Sequence, residues 1–90
     1  ISLVKNIKKN NITYCPHFLG GGIGQLASAH LLSASNDNGM LEVDINKNPL
    51  RSDIINDMIT PTKGCLELND KPGLGCEPYL KSINQYLVAH

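Results

Sequence analysis

The chain has 90 residues, its eight acidic and eight basic side chains cancel, and its hydrophobic content is 41%. This length and composition favour one small folded domain, residues 1–90, over a disordered chain. Without a basic surface we expect no nucleic-acid partner, and no apolar run reaches the ~20 residues that span a membrane. Three cysteines without paired spacing favour a reducing compartment, so we expect a cytoplasmic protein.

The first part of the chain predicts the end of a helix followed by a short strand. Residues 1–10 place apolar side chains on one helical face and lysines mostly on a solvated face. Residues 12–17 read as a strand in which Pro16 ends the pairing, because proline has no N–H to donate. His17 then lies just past the strand, in a position suited to function. We expect Cys15 to be a small packed residue because no cationic neighbour is evident.

A glycine-rich loop leads into a predicted helix over Gly22–Ser35. We expect His30 on its inner face, hydrogen-bonded to a backbone carbonyl. A polar turn at residues 35–39 follows, and residues 40–45 read as a second strand. The predicted inner face of the helix has apolar or small side chains at helical spacing: Ile23, Leu26, Ala27, Leu31 and Ala34.

A strand–helix–strand unit of this length implies parallel strands with a right-handed crossover. Leu41 and Val43 would meet the helix, and Glu42 and Asp44 would point the other way, beside His17. Two carboxylates and an imidazole would then share one face near the carboxyl ends of the strands, where ligands bind in α/β sheets.

The second half, residues 46–90, reads as a loop, a short helix, two turns and a terminal helix. Pro49 suits the first turn of the short helix, and turns are expected at Lys63–Gly64 and Pro72–Gly73. The terminal helix would begin near Pro78. The predicted inner faces of the two helices are Leu50, Ile54 and Met58 (or Ile55) in the first, and Leu80, Ile83 and Leu87 in the second.

Two motifs leave alternatives open. Residues 22–27 satisfy the GxGxxA pattern of dinucleotide-binding loops, with Glu42 or Asp44 about twenty residues later, so the Gly20–Gly24 loop could bind a nucleotide. His17, Glu42 and Asp44 could be a base with carboxylate partners, part of a divalent-metal site, or ordinary surface side chains.

The segments CPHFLGGGIGQLASAHLLSA, LEVD, NPLR and PGLG, in this order, resemble the C-terminal end of enolase-superfamily enzymes of the mandelate racemase and muconate lactonizing enzyme group. The resemblance runs from about Ile1 to Tyr86. It implies an α/β fold: a βαβ fragment similar to the last two strands of a (β/α)7β barrel, within residues 1–45. Residues 46–90 would be the C-terminal segment of the capping region. The chain would not be a complete barrel by itself.

The resemblance also implies a chemistry. The family abstracts the proton next to a carboxylate and stabilises the enediolate on Mg²⁺, using a Lys or His base, in racemases and acid-sugar dehydratases. His17 matches a catalytic histidine of racemase-like members and Glu42 a carboxylate that helps to stabilise the enolate, whereas Asp44 carries no role over. The family's metal ligands and lysine base are absent from this sequence. We therefore expect no bound Mg²⁺ and no catalysis by the isolated chain, which would be a stand-alone C-terminal fragment.

Two barrel strands leave unpaired edges. We therefore expect the chain to form a homo-oligomer or to join a missing N-terminal portion, with a small carboxylate as the candidate ligand. The alternative is a self-associating structural or interaction protein with a pocket at the subunit interface.

Overall fold

Helices and turns make up most of the regular structure in the computed structural model of the chain, which describes residues 1–36, 39–56 and 60–89. Two 3-10 turns, at Asp53–Ile55 and Asn84–Tyr86, directly continue the third and fourth helices. In chain order the helices are α1 (Ser2–Lys9), α2 (Gly22–Ser35), α3 (Pro49–Ser52) and α4 (Leu80–Ile83).

Strand pairing in the described ranges consists of two isolated bridges. His17 pairs with Glu42 in the parallel sense, and Thr62 pairs with Cys65 in the antiparallel sense. The first bridge joins the two segments expected to be adjacent parallel strands. That these segments are the last two strands of a barrel, followed by a capping-type segment, stays a prediction.

The helix predicted in residues 1–10 is confirmed, and one of its lysines has a structural contact. α1 ends at Lys9, and Asn11 then takes a left-handed conformation with φ 55°. The Lys8 ammonium donates to the carbonyl oxygens of Ser35 and Asn36, at 3.2 Å each. These carbonyls lie at the C-terminal end of α2, so Lys8 binds acceptors that have no donor within the helix. Its positive charge there also interacts favourably with the helix dipole.

The bounds predicted for α2 are confirmed, but its buried face differs from the expected one. Ala27 and Ala34 are exposed, whereas Gln25 and Ala29 are buried together with Leu26. The difference arises because α2 packs against α3 and its 3-10 turn. Burial in α2 therefore follows packing and not polarity, since the polar Gln25 is buried whereas Ala27 and Ala34 are exposed.

The core is small for a chain of this length. In the described residues the buried apolar side chains are Leu26, Ala29 and Ile55. The accessible surface is 7028 Å², against roughly 5,200 Å² for a compact monomer of this mass. The radius of gyration is 14.6 Å, against about 12 Å for a compact domain of this length. Much apolar surface is therefore left uncovered.

Both turns predicted in the second half are confirmed. Thr62 and Cys65 exchange two backbone hydrogen bonds of 2.8 and 3.0 Å across Lys63–Gly64, where both residues have positive φ. That conformation is the two-residue hairpin turn that favours glycine. At the second turn the amide of Gly75 donates to the carbonyl of Pro72 at 3.2 Å.

The terminal helix is shorter than predicted. α4 begins at Leu80, two residues after Pro78, and the 3-10 turn that follows it ends at Tyr86. The amide of Tyr79 donates to the carbonyl of Ile54 at 2.7 Å, which attaches α4 to the turn after α3. Leu80 is exposed, and short helices need a packed apolar face to persist, so α4 ends early.

Some predictions concern residues outside the described ranges. These are Asp37 and Asn38 in the polar turn, Met58 in the inner face of the short helix, and His90 at the end of the terminal helix. Within the described ranges no helix combines the length and hydropathy of a membrane-crossing segment. The cytoplasmic location stays a prediction.

Candidate functional site

His17 and Glu42 lie side by side at the parallel bridge. The amide of Glu42 donates to the carbonyl of Pro16 at 3.0 Å, and this bond sets the register between the two segments. The His17 Nδ1 atom is 3.8 Å from the Glu42 Oε2 atom. The side chains are 52% and 63% exposed, so a molecule from solvent can reach both. A protonated imidazole and a carboxylate at this distance form an ion pair.

The glycines after His17 permit close packing. A Cβ on Gly22 would overlap the Arg51 carbonyl oxygen and lie 2.9 Å from the Ile55 side chain, so only glycine lets α2 begin this close to α3. A Cβ on Gly24 would meet the ring of Phe18 instead. Packing thus accounts for these glycines, and nucleotide binding at the Gly20–Gly24 loop stays a prediction.

Asp44 is held by its own loop and by Arg51. Its Oδ1 atom accepts from the Asn46 amide at 3.0 Å and from the Asn46 side-chain amide at 2.8 Å. Its Oδ2 atom is 3.4 Å from an Arg51 nitrogen, and Arg51 also donates to the Asn46 carbonyl. The backbone amide of Asn46 lowers the pKa of Asp44 below the ordinary 3.8; the Asn46 side chain and Arg51 add to this, and partial burial opposes it. Ionised Asp44 therefore stabilises the loop above about pH 3.8, the ordinary pKa of an aspartate. This stabilisation is lost as the pH falls through the lowered pKa.

Asn48 connects α3 to the glycine loop. Its Oδ1 atom accepts from the Leu50 amide at 3.0 Å, which caps α3. Its side-chain amide donates to the Gly20 carbonyl at 3.3 Å. The loop that follows Asp44 is thereby joined to the loop that follows His17.

Two further sequence expectations have clear outcomes. The prediction for His30 is confirmed in its hydrogen bond, because its Nε2 atom lies 3.2 Å from the Leu74 carbonyl oxygen and the residue is half-buried. The prediction that Cys15 is packed is wrong, because Cys15 is exposed. The short segment that carries it forms one isolated bridge in the described residues, at His17.

A separate cavity of about 610 Å³ lies between the second half of α2 and the two extended segments at 39–43 and 61–68. Its lining combines polar atoms with apolar side chains that include Leu32, Leu41 and Leu66. Leu41 and Val43 line this cavity together with residues of α2, and Val43 is 41% exposed. That their side chains pack against the helix stays a prediction.

The residues present do not fit a Mg²⁺ site by themselves. Within residues 1–36, 39–56 and 60–89, no three or more His, Cys, Asp or Glu side chains are grouped to hold a metal ion. Both Asp44 oxygens already accept from Asn46 or Arg51, and only Glu42 remains beside His17. One carboxylate is too few for a protein Mg²⁺ site without ligands from elsewhere.

The structure therefore brings His17 and Glu42 together and engages Asp44 with Arg51. Sequence reasoning did not single out Arg51, Asn46 or Asn48. A signal for Asn48 was available, since an asparagine before a proline at N1 is a strong helix cap. The catalytic roles of His17 and Glu42 stay predictions.

The chain is similar to known proteins over part of its length. The sequence profile of the family described as enolase C-terminal domain-like matches residues 3–82. The chain is 37% identical over 60 residues to the arabinonate dehydratase of Saccharolobus solfataricus (strain P2). The matched part is 67% of this chain and 16% of that enzyme, so the chain spans a small part of this curated relative. No solved structure matches the chain.

Proposed function

Because the chain belongs to the enolase C-terminal domain-like family, we propose that residues 1–90 supply the C-terminal part of a barrel enzyme that removes the proton next to a carboxylate. The substrate would be a hydroxy acid or an acid sugar, and the reaction a racemisation or a dehydration. The similarity to an arabinonate dehydratase supports the acid-sugar alternative.

The observation that carries this proposal is the pairing of His17 with Glu42. An imidazole can accept or donate a proton near neutral pH, and it must be reachable by the substrate to do so. His17 is half exposed and follows a segment that is paired in parallel with the Glu42 segment. In the proposal His17 transfers the proton at the α-carbon, and Glu42 orients the imidazole or stabilises the developing enolate.

The proposed site needs groups that these 90 residues do not bring together. At the bridge, the described residues place one imidazole beside one carboxylate. Stabilisation of the developing charge is usually the largest contribution to such a reaction. Any Mg²⁺ of the complete site would be held by carboxylates outside residues 1–90. We therefore propose that the 90 residues alone do not catalyse the reaction.

The test measures loss of the α-proton in deuterium oxide by proton NMR, on a panel of 2-hydroxy acids and sugar acids. The proteins compared are the natural protein that contains residues 1–90 and the 90-residue chain alone. We expect α-proton exchange only with the natural protein. His17→Asn should lower the rate about 10²- to 10⁴-fold, the usual contribution of a general acid or base.

Glu42→Gln should also lower the rate, and Glu67→Gln, which removes an exposed carboxylate elsewhere, should not. The intact mass of the natural protein is measured in parallel. A natural protein of 9.8 kDa, the mass of this chain, would exclude the barrel enzyme. His17-dependent exchange by the 90 residues alone would contradict the proposed incompleteness.

A second candidate function, self-association, is favoured by the exposed apolar surface. The large apolar side chains that lie mostly in solvent come from every part of the chain: Ile1, Leu3, Ile12, Leu19, Met40, Ile45, Leu80, Leu87 and Val88. The total accessible surface of 7028 Å², against roughly 5,200 Å² for a compact monomer, supports the proposal that a partner covers part of this apolar surface. Its occupant would be a second copy of this chain or the rest of a barrel.

We expect the purified 90-residue chain to have a mass above 9.8 kDa by light scattering, rising over a concentration series. Ile45→Lys should lower that mass towards the monomer, because Ile45 is 96% exposed and a charge there opposes burial. The exposed neighbouring change Lys47→Gln is the control. A single monomeric mass at all concentrations would rule out self-association.

A further inference from the structure

We infer that Asp44 and Arg51 are positioning residues that hold His17 and Glu42 in register; their importance for catalysis rests on the function proposed above. The pair closes a ring of contacts around the candidate site. The ring runs from Glu42 through Asp44, Arg51 and Asn48 back to the loop that follows His17.

The first part of the ring fixes the Glu42 segment to α3. Asp44 lies two residues after Glu42, and its carboxylate meets the Arg51 guanidinium at 3.4 Å. These side chains are only 20% and 13% exposed, whereas His17 and Glu42 are more than half exposed. A partly buried pair with hydrogen bonds to Asn46 has a defined geometry that exposed side chains lack.

The second part fixes α3 to the His17 segment. Asn48 caps α3 and donates to the Gly20 carbonyl at 3.3 Å, three residues beyond His17. The carbonyl oxygens of Leu50 and Arg51 lie directly against Gly21 and Gly22. A shift of Arg51 would therefore move the start of α2 and the loop before it.

The two ends of the ring meet at one weak point. Only a backbone hydrogen bond, from the Glu42 amide to the Pro16 carbonyl, is seen to set the register at the bridge among the described residues. An isolated bridge at the surface opens readily unless the flanking elements are fixed. The Asp44–Arg51 pair fixes the Glu42 flank to α3, and Asn48 fixes α3 to the flank that follows His17.

The test uses Asp44→Asn and Arg51→Lys in the natural protein that contains residues 1–90. Lysine keeps the charge but lacks the planar guanidinium with which Arg51 binds both Asp44 and the Asn46 carbonyl. The control is Ala29→Gly, which destabilises buried α2 without touching the ring. The first measurement is amide hydrogen exchange of Glu42 relative to that of Leu26 in the core.

We expect both variants to speed Glu42 exchange about tenfold relative to Leu26, because the local opening becomes easier. Ala29→Gly should speed Leu26 exchange and leave Glu42 exchange unchanged, because it weakens α2 and not the bridge. An unchanged ratio in both Asp44→Asn and Arg51→Lys would overturn the inference, whether or not the protein is an enzyme.

The second measurement is the kinetics of α-proton exchange. Misplacing a catalytic group lowers kcat more than it changes KM, so we expect kcat to fall about 10- to 100-fold with KM nearly constant. If His17→Asn abolishes exchange while both ring variants keep the wild-type kcat, the proposed function stands and the inference fails. If no form exchanges the α-proton, the proposed function fails and amide exchange alone decides the inference.

Discussion

Ile55→Ala is expected to lower the free energy of unfolding by about 2–5 kcal/mol, the range for truncating a buried isoleucine. Ile55 is 1% exposed and lies where the turn after α3 meets the start of α2. With Leu26 and Ala29 it makes up the buried apolar core of the described residues. So small a core has little other packing to compensate for a cavity.

The measurement is urea unfolding followed by circular dichroism. At a concentration where the chain is monomeric, Ile45→Ala removes the same atoms from a side chain that is 96% exposed, so it should change stability by less than about 0.5 kcal/mol. A large difference between the two variants is expected because burial alone separates them. Equal effects would mean that Ile55 does not hold α2 against α3.

Gly22→Ala is expected to destabilise the chain by about 1–3 kcal/mol, the usual cost of overpacking. The added Cβ would overlap the backbone carbonyl of Arg51, and a backbone atom inside a short capped helix cannot move alone. For a domain of this size each kcal/mol lowers the melting temperature by about 4–8 °C. Thermal unfolding therefore detects the effect easily.

Gly24→Ala in the same helix is the matched control. Its Cβ would meet the ring of Phe18, which is half exposed and can turn into solvent. Alanine also favours a helix over glycine by about 1 kcal/mol, which offsets the cost of moving the ring. A Gly24→Ala variant less stable than Gly22→Ala would show that the ring of Phe18, not the α3 backbone, constrains the start of α2.

Local signals predicted the elements that depend on local chemistry. The bounds of α2, the end of α1 at Asn10–Asn11 and the Lys63–Gly64 turn follow from glycine, asparagine and apolar spacing, and the structure agrees. Predictions that needed a partner surface failed. Ala34 is exposed because α2 packs on α3 through another face. The terminal helix ends early because Leu80 and Leu87, two of the apolar side chains expected to pack, are exposed.

The site was predictable to a similar extent. Parallel strand order places the residue after one strand beside a residue of the next, and the structure does bring His17 near Glu42. Strand order did not indicate that Asp44 pairs with Arg51, seven residues further along the chain. That contact depends on how the intervening loop folds back. No helical or strand periodicity encodes such a loop.

The two hydrogen bonds of Lys8 have a consequence for how the site-bearing segment opens. By joining Lys8 to Ser35 they close a loop of chain 27 residues apart in sequence, and His17 lies within it. Closing a loop of that length costs roughly 3 kcal/mol of chain entropy. Hydrogen bonds from a charged donor contribute about 1.5–3 kcal/mol each, so the two bonds together offset that cost. The junction of α1 with the end of α2 therefore holds the ends of the segment that carries His17. The isolated bridge between His17 and Glu42 is the place where this segment opens first.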